Sequence, residues 1–147
     1  RLTHCMRWLG LSKRCLEEAS AYVAYRMSFG QTLAAHEGVQ WMLGDVAKDI
    51  QIGRLLTMQA AWKLDQGDFA RSDISIAKIH AADTLHKAAD TAIQLLGARG
   101  YSKDTIVEWI YRYARQARLV DGASEIHKMV LSRAYLSEGQ DFFRWGV

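Results

Sequence analysis

No proline occurs anywhere in the 147 residues. A chain of this length without one is built for long uninterrupted helices, because proline removes a backbone donor and clashes with the preceding helical turn. Alanine, leucine, arginine, glutamine and glutamate, all good helix formers, are plentiful. The apolar residues follow a helical period. Val39, Leu43, Val46 and Ile50 recur at spacings of four, three and four, which marks one face of a helix. Ile74, Ala77, Ala81, Leu85, Ala88, Ala92 and Leu95 form a second stripe, in which small side chains permit a neighbour to come close.

These patterns predict five helices: Leu2 to Met27, His36 to Gln66, Ser72 to Leu96, Lys103 to Ala117, and Ala123 or Ser124 to Glu138. Ser28-Phe29-Gly30-Gln31 is a loop centred on glycine. Asp65-Gln66-Gly67-Asp68 ends the second helix, with Gly67 suited to closing it. Ser72 is suited to capping the third. Gly97-Ala98-Arg99-Gly100 and Leu119-Val120-Asp121-Gly122 are further breaks. Helices two and three would each span about 35 to 45 Å. Long helices with short links fold back on one another. The expected fold is all-α, an antiparallel up-down four-helix bundle with an additional C-terminal helix, in one domain over residues 1–147. The chain opens at Arg1 already in helical register, without an initiator methionine, and so reads as a fragment of something longer. The tail from Gln140 carries Phe142, Phe143 and Trp145, apolar enough that it should pack on something.

The formal charge is +3 and the sequence pI about 9.0, but both signs are interspersed, as in Lys13-Arg14 followed by Glu17-Glu18. The densest basic stretch, Arg112 to Arg118, holds three arginines three residues apart and reads as a solvated face or anion contact, not a nucleic-acid stripe. Cys5 and Cys15 would lie about 15 Å apart on one helix. They cannot pair there, which suits a reducing compartment. No apolar run is long enough to span a membrane. The histidines, His4, His36, His80, His86 and His127, form no His-x-x-x-His pair, so no metal site is expected.

Two loops could carry chemistry. Arg26-Met27-Ser28-Phe29-Gly30 puts an arginine, a hydroxyl and an aromatic ring at a helix end. Gln94-Leu95-Leu96-Gly97-Ala98-Arg99-Gly100-Tyr101 puts small residues where a backbone can be approached. Arginine plus exposed amides suits a phosphate or pyrophosphate. On physical grounds alone, each loop is better explained as a helix end and a loop tip. Asp121-Gly122 is likewise a turn pair at a helix start, where the dipole favours a carboxylate. The residues alone define a helical bundle with two candidate anion loops and no reaction.

Taken in order, the loops resemble the C-terminal domain of the acyl-CoA dehydrogenase family over about Arg1 to Leu136. Gly10 to Ala19 is similar to the family's first helix, and Arg26-Met27-Ser28-Phe29-Gly30 to its Arg-x-x-Phe-Gly, with His36 where its His-Gln pair begins. Ala92 to Tyr101 resembles its Gln-x-x-Gly-Gly-x-Gly-Tyr, and Val120-Asp121-Gly122-Ala123-Ser124-Glu125-Ile126 its Tyr-Glu-Gly-Thr-Ser-x-Ile. The resemblance implies removal of an α-proton from an acyl-CoA thioester while the β-carbon gives a hydride to FAD. It implies Asp121 as the catalytic base, with Arg1, Val120 and Gly122 on the substrate side. It places Arg26, Ser28, Phe29, His36, Glu37, Gln94, Gly97, Ala98, Ala123 and Glu125 at FAD-contacting positions, several of them toward the FAD of a neighbouring subunit. It further implies a homodimer or homotetramer, electron-transferring flavoprotein as electron acceptor, and a bacterial cytoplasmic or mitochondrial matrix setting. Asp-Gly in place of Glu-Gly resembles a subgroup acting on longer or unusual acyl chains. Some relatives carry the base immediately before the position of Arg1. A flavin oxidase or nitroalkane oxidase relative, or a helical oligomerisation module without chemistry, would share this fold. Four departures stand out: Glu37 for glutamine, Ala98 for the second glycine, Ala123 for threonine, and Tyr113 for the aspartate of an Arg-Asp pair.

Overall fold

The computed structural model describes residues 1–144. Three long helices dominate: α1 (Leu2–Tyr25), α2 (Glu37–Asp65) and α3 (Arg71–Leu96). A single turn, α4 (Ala98–Tyr101), then α5 (Val107–Gln116), α6 (Ser124–Glu138) and a 3-10 segment (Gly139–Phe143) follow. Among the described residues the chain is all-α apart from one short hairpin between α1 and α2, β1 (Met27–Ser28) with β2 (Gln31–Thr32).

Side-chain contacts fix the helix directions. Arg99 near the end of the α3–α4 segment reaches Tyr25 at the end of α1, and Lys78 near the start of α3 lies over Trp8 near the start of α1. α1 and α3 therefore run parallel. α2 runs the opposite way, because its late residues Gln59 and Lys63 bond Asp73 while its earlier Asp49 bonds Lys87. α5 also runs against α3: Tyr111 packs on His86, and the following Arg118 faces Asp83. α3 touches every other helix.

The reason lies in the small-residue stripe. Ala77, Ala81, Ala88 and Ala92 are at most 1% exposed, so neighbouring backbones come close on several sides of α3. The burial extends beyond the stripe to Ala82, Ala89 and Leu85, while Ile74 is only half-buried. Trp8, Leu85, Val107 and Ile110 fill the larger gaps. Burying one side chain such as Leu85 contributes about 2 kcal/mol. Gly53 lets α2 come in as well, for a Cβ there would lie 2.6 Å from Leu9 Cδ2.

Helix ends follow local chemistry, with some corrections. α2 closes as expected through Gly67 (φ +86), whose N–H bonds Leu64 O while Asp68 N–H bonds Lys63 O. Ser72 is not the N-cap of α3. Ala70 is, in the left-handed region (φ +45), because Asp68 Oδ1 accepts the Ala70 N–H and turns the chain into the helix earlier. The expected start of the fourth helix at Lys103 moves to Val107, because Ser102 and Asp104 bond each other in a turn instead. The loop at Ser28 is the hairpin tip, with Phe29 at φ +50 and Gly30 at φ +81. Cys5 and Cys15 are free and buried, and burial pushes their thiols up to about 11 and about 12. Phe142 and Phe143 pack on Tyr135, and Trp145 lies outside the described residues. No helix among the described residues is long and apolar enough to cross a membrane.

Gly100 seats α4 against α3: a Cβ there would lie 2.9 Å from Ile93 Cα and 2.9 Å from Leu96 Cβ. These are backbone-near atoms that cannot swing away. The Gly100→Ala variant is expected to lose about 1–3 kcal/mol of stability, read as a lower midpoint in thermal unfolding followed by circular dichroism.

Candidate active site

Asp121 sits in the turn between α5 and α6, in the left-handed region at φ +57, followed by Gly122 at φ +89. A non-glycine residue held there needs support from around it. Its carbonyl oxygen receives two donors, Arg1 Nε at 3.3 Å and His127 Nε2 at 3.1 Å. Ser124 N–H, at the start of α6, bonds back to Arg118 O at 3.0 Å. The turn is thus fastened to the start of α1 and the first turns of α6. Gly122 is required here, since a Cβ would lie 3.1 Å from His127 Nε2 on top of a positive φ. Val120 is half-buried against the core.

The carboxylate is held separately. Its Oδ2 pairs with His4 Nδ1 from the first turn of α1, and the Asp121 side chain keeps 34% of its exposure. The His4 ring packs on Trp8 with centroids 5.6 Å apart. His127 reaches Ser75 of α3 through Nδ1 at 3.0 Å. Burial, ahead of smaller effects, holds His127 below its ordinary value, so the ring is neutral. Asp121 O can only accept, which puts the proton on Nε2, while Nδ1 meets the Ser75 hydroxyl, which also donates to Arg71 O at 2.9 Å.

Beneath the turn, Lys78 is fully buried, with its Nζ 5.7 Å from the centroid of the Trp8 ring. Burial lowers its pKa, against the weaker raising effects of Cys5, Asp121, Glu125 and Asp83. Lys78 Nζ, Trp8 Nε1, Ser124 Oγ and His86 Nδ1 are buried without hydrogen-bond partners among the described residues, as is His4 Nδ1, whose contact with Asp121 Oδ2 is an ion-pair approach without hydrogen-bond alignment.

The remaining site residues gather elsewhere. At the hairpin, Gln31 Nε2 donates to His36 Nδ1 at 3.1 Å, and His36 Nε2 donates to Ser28 O at 3.1 Å. The Phe29 ring stands edge-on to His36 and is 96% exposed. Arg26 is exposed at the end of α1, and Glu37 is exposed in the first turn of α2. Gln94, Gly97 (φ +60) and Ala98 are exposed at the end of α3, joined to this end of the molecule by the Arg99–Tyr25 bond of 3.1 Å. α1 separates the two groups: Arg1 precedes its first residue, Arg26 follows its last, and 24 residues lie between. That is about 36 Å of helix. The structure therefore gathers Arg1, Val120, Asp121, Gly122, Ala123 and Glu125 at one end, and Arg26, Ser28, Phe29, His36, Glu37, Gln94, Gly97 and Ala98 at the other.

A family model described as the acyl-CoA dehydrogenase C-terminal domain matches residues 1–136. This chain belongs to the acyl-CoA dehydrogenase family. The short-chain-specific acyl-CoA dehydrogenase of Clostridium acetobutylicum is 36% identical over 124 residues, 84% of this chain and 33% of that protein. Butyryl-CoA dehydrogenase of Megasphaera elsdenii superposes with a TM-score of 0.89 at 29% identity, over 92% of this chain and 36% of its own. A glutaryl-coenzyme A dehydrogenase in complex with glutaryl-CoA superposes with a TM-score of 0.88 at 30% identity, over 100% of this chain and 37% of its own. The chain spans about a third of the length of the curated relatives it matches.

Two of the departures from the acyl-CoA dehydrogenase pattern have visible consequences. Ala123 is the N-cap of α6 and offers no side-chain cap. Tyr113 stacks on Trp109 at 5.1 Å and accepts from Arg7 at 3.5 Å, while Arg112 pairs with Glu108 at 2.6 Å instead of with a following aspartate. The basic stretch is thereby partly neutralised, since Arg118 also faces Asp83. His4, His127, Ser75 and Lys78 were not legible as site residues. Only helix periodicity joined to the α1–α3 crossing brings them to Asp121.

The neutral His127 fixes a pH dependence. Its folded pKa lies below the unfolded value of 6.5, so the unfolded chain takes up the proton first. The stabilisation is complete above about pH 6.5 and is lost as pH falls through the folded pKa. His127→Gln, which has no titrating ring, is expected to flatten the decline of the melting midpoint between about pH 7 and pH 5. Ala123→Ser should raise stability by about 1 kcal/mol by supplying the missing cap, measured by denaturant unfolding.

Proposed function

We propose that this chain is the C-terminal domain of an FAD-dependent acyl-CoA dehydrogenase in which Asp121 abstracts the α-proton of an acyl-CoA thioester. The observation that carries this is a carboxylate kept one-third exposed at the end of a turn whose backbone is tied to α1 and, through His127, to α3. A mere turn aspartate needs no such fastening. A base does, because its oxygen must meet the reacting carbon at a fixed place. Val120 and Gly122 flank the carboxylate, and Arg1 closes the turn on the same side.

Aspartate is one methylene shorter than the family's usual glutamate. The left-handed backbone at Asp121 therefore decides how far the carboxylate reaches. This favours the Asp-Gly subgroup and a longer or bulkier acyl chain than the straight short ones.

The other end of the domain suits a flavin nucleotide. Arg26 offers an exposed guanidinium for a pyrophosphate, Phe29 an exposed ring, and Gly97 and Ala98 a bare backbone. Glu37 adds a carboxylate at the start of α2, which binding of an anion there must tolerate. FAD, when bound, takes up the hydride leaving the β-carbon. Because the two ends lie a helix length apart, Arg26, Ser28, Phe29, His36, Glu37, Gln94, Gly97 and Ala98 face the FAD of a neighbouring subunit. Ala123 and Glu125 belong with the flavin beside Asp121. The full enzyme is then a homodimer or homotetramer that hands its electrons to electron-transferring flavoprotein.

In the full-length enzyme, Asp121→Asn is expected to slow flavin reduction by acyl-CoA by about 100- to 10,000-fold, measured by stopped-flow absorbance with retained flavin. An unchanged rate would remove Asp121 from the chemistry. The chain of residues 1–147 alone should bind FAD weakly and support no flavin reduction by acyl-CoA, as titration and anaerobic spectra would show.

A further inference from the structure

We infer that His4 is a positioning residue for the base: it holds Oδ2 of Asp121 and leaves Oδ1 free to take the substrate's α-proton. The inference rests on the reading of Asp121 as the base and adds the group that sets its aim.

The backbone bonds at Asp121 do not orient its carboxylate. Arg1 Nε and His127 Nε2 both end on the carbonyl oxygen. Two side-chain torsions remain, and a side chain 34% exposed would sample several rotamers if nothing held it. His4 is what holds it, through Nδ1 on Oδ2. Oδ1 carries no hydrogen bond or ion pair among the described residues. One oxygen is anchored and the other is presented.

The anchor is itself rigid. His4 lies in the first turn of α1, its ring packed 5.6 Å from Trp8, and Trp8 is fully buried. The reach from Cα to Nδ1 is short, so the ring cannot follow a wandering carboxylate. The Nδ1–Oδ2 contact is one of ion-pair proximity without hydrogen-bond alignment, and it closes the space beside Oδ2.

Titratable groups near Asp121 come from three helices: Cys5 from α1, the Lys78 ammonium from α3 and His127 from α6, while Arg1 bonds the Asp121 carbonyl. Among the described residues, His4 alone makes an ion-pair contact with the carboxylate oxygens. Removing it should therefore disturb direction more than affinity. A misplacement of about an ångström can cost about 100-fold in rate.

The test uses the full-length holoenzyme and three variants read by stopped-flow flavin reduction across acyl-CoA concentrations. His4→Phe keeps a ring on Trp8 and removes the donor. It is expected to lower the limiting reduction rate by about 10- to 100-fold with little change in substrate affinity. His4→Asn puts an amide N–H at the place of Nδ1 and should recover the rate to within a few-fold. His4→Phe placed on top of Asp121→Asn should cause no further loss, because the effect acts through the carboxylate. Equal rates in His4→Phe and wild type, with Asp121→Asn inactive, overturn this inference and leave the base standing. Asp121→Asn reducing at the wild-type rate overturns the base itself. His4→Phe and His4→Asn slowed alike assign the effect to ring packing and also overturn the inference. Should His4→Phe fail to hold flavin, His4→Leu replaces it. Should both fail, His4→Asn decides alone: a rate within a few-fold of wild type supports the donor, and a drop beyond about 100-fold refutes it.

Discussion

The close approach of α1 to α3 is the contact on which the rest depends. It exists because α3 offers alanines where another helix would offer leucines: Ala77, Ala81, Ala88 and Ala92 are all at most 1% exposed. Small side chains let two helix backbones lie near each other along their length, and the dispersion gained over many atoms offsets the small area buried per residue. α1 and α3 run parallel as a result, with Arg1 and His4 brought beside the loop that follows α5. The same geometry sends Tyr25 to Arg99 at the opposite end.

Polar groups inside this contact sharpen it. Trp8 fills the gap and lies under both His4 and Lys78, so one indole braces Asp121's partner and a buried cation. Ser75 and His127 couple α3 to α6 through a ring that burial keeps neutral and the Asp121 carbonyl orients. A buried polar group without its partner costs several times what a formed bond contributes. The turn at Asp121 is therefore specific in register: His127 one position away would leave its nitrogens unmatched. The positive φ at Asp121 is the price of this arrangement.

Most of the architecture was legible in the residues. All three long helices were located to within one or two residues, the second and third by apolar stripes whose 3.6-residue period has one reading over twenty residues or more. Breaks at Gly67, Gly97 and Gly122 were legible because each takes a positive φ that other residues adopt at a cost. The errors came where two local signals competed. Ser72 looks like a cap, but Asp68 four residues earlier took the role through Ala70. Lys103 looks like a helix start, but Ser102 and Asp104 close a turn of their own.

The sequence by itself determined the all-α class, the positions of the helices, the family and the two sets of loop residues. Only the tertiary structure decided that these sets lie at opposite ends of α1, because a period reports which face is buried and says nothing of which helix covers it. Only the tertiary structure, too, brought His4 to Asp121 across 117 positions of chain. A lone histidine in a first helical turn carries no local sign of its partner, which becomes a neighbour once the alanines of α3 have let α1 in.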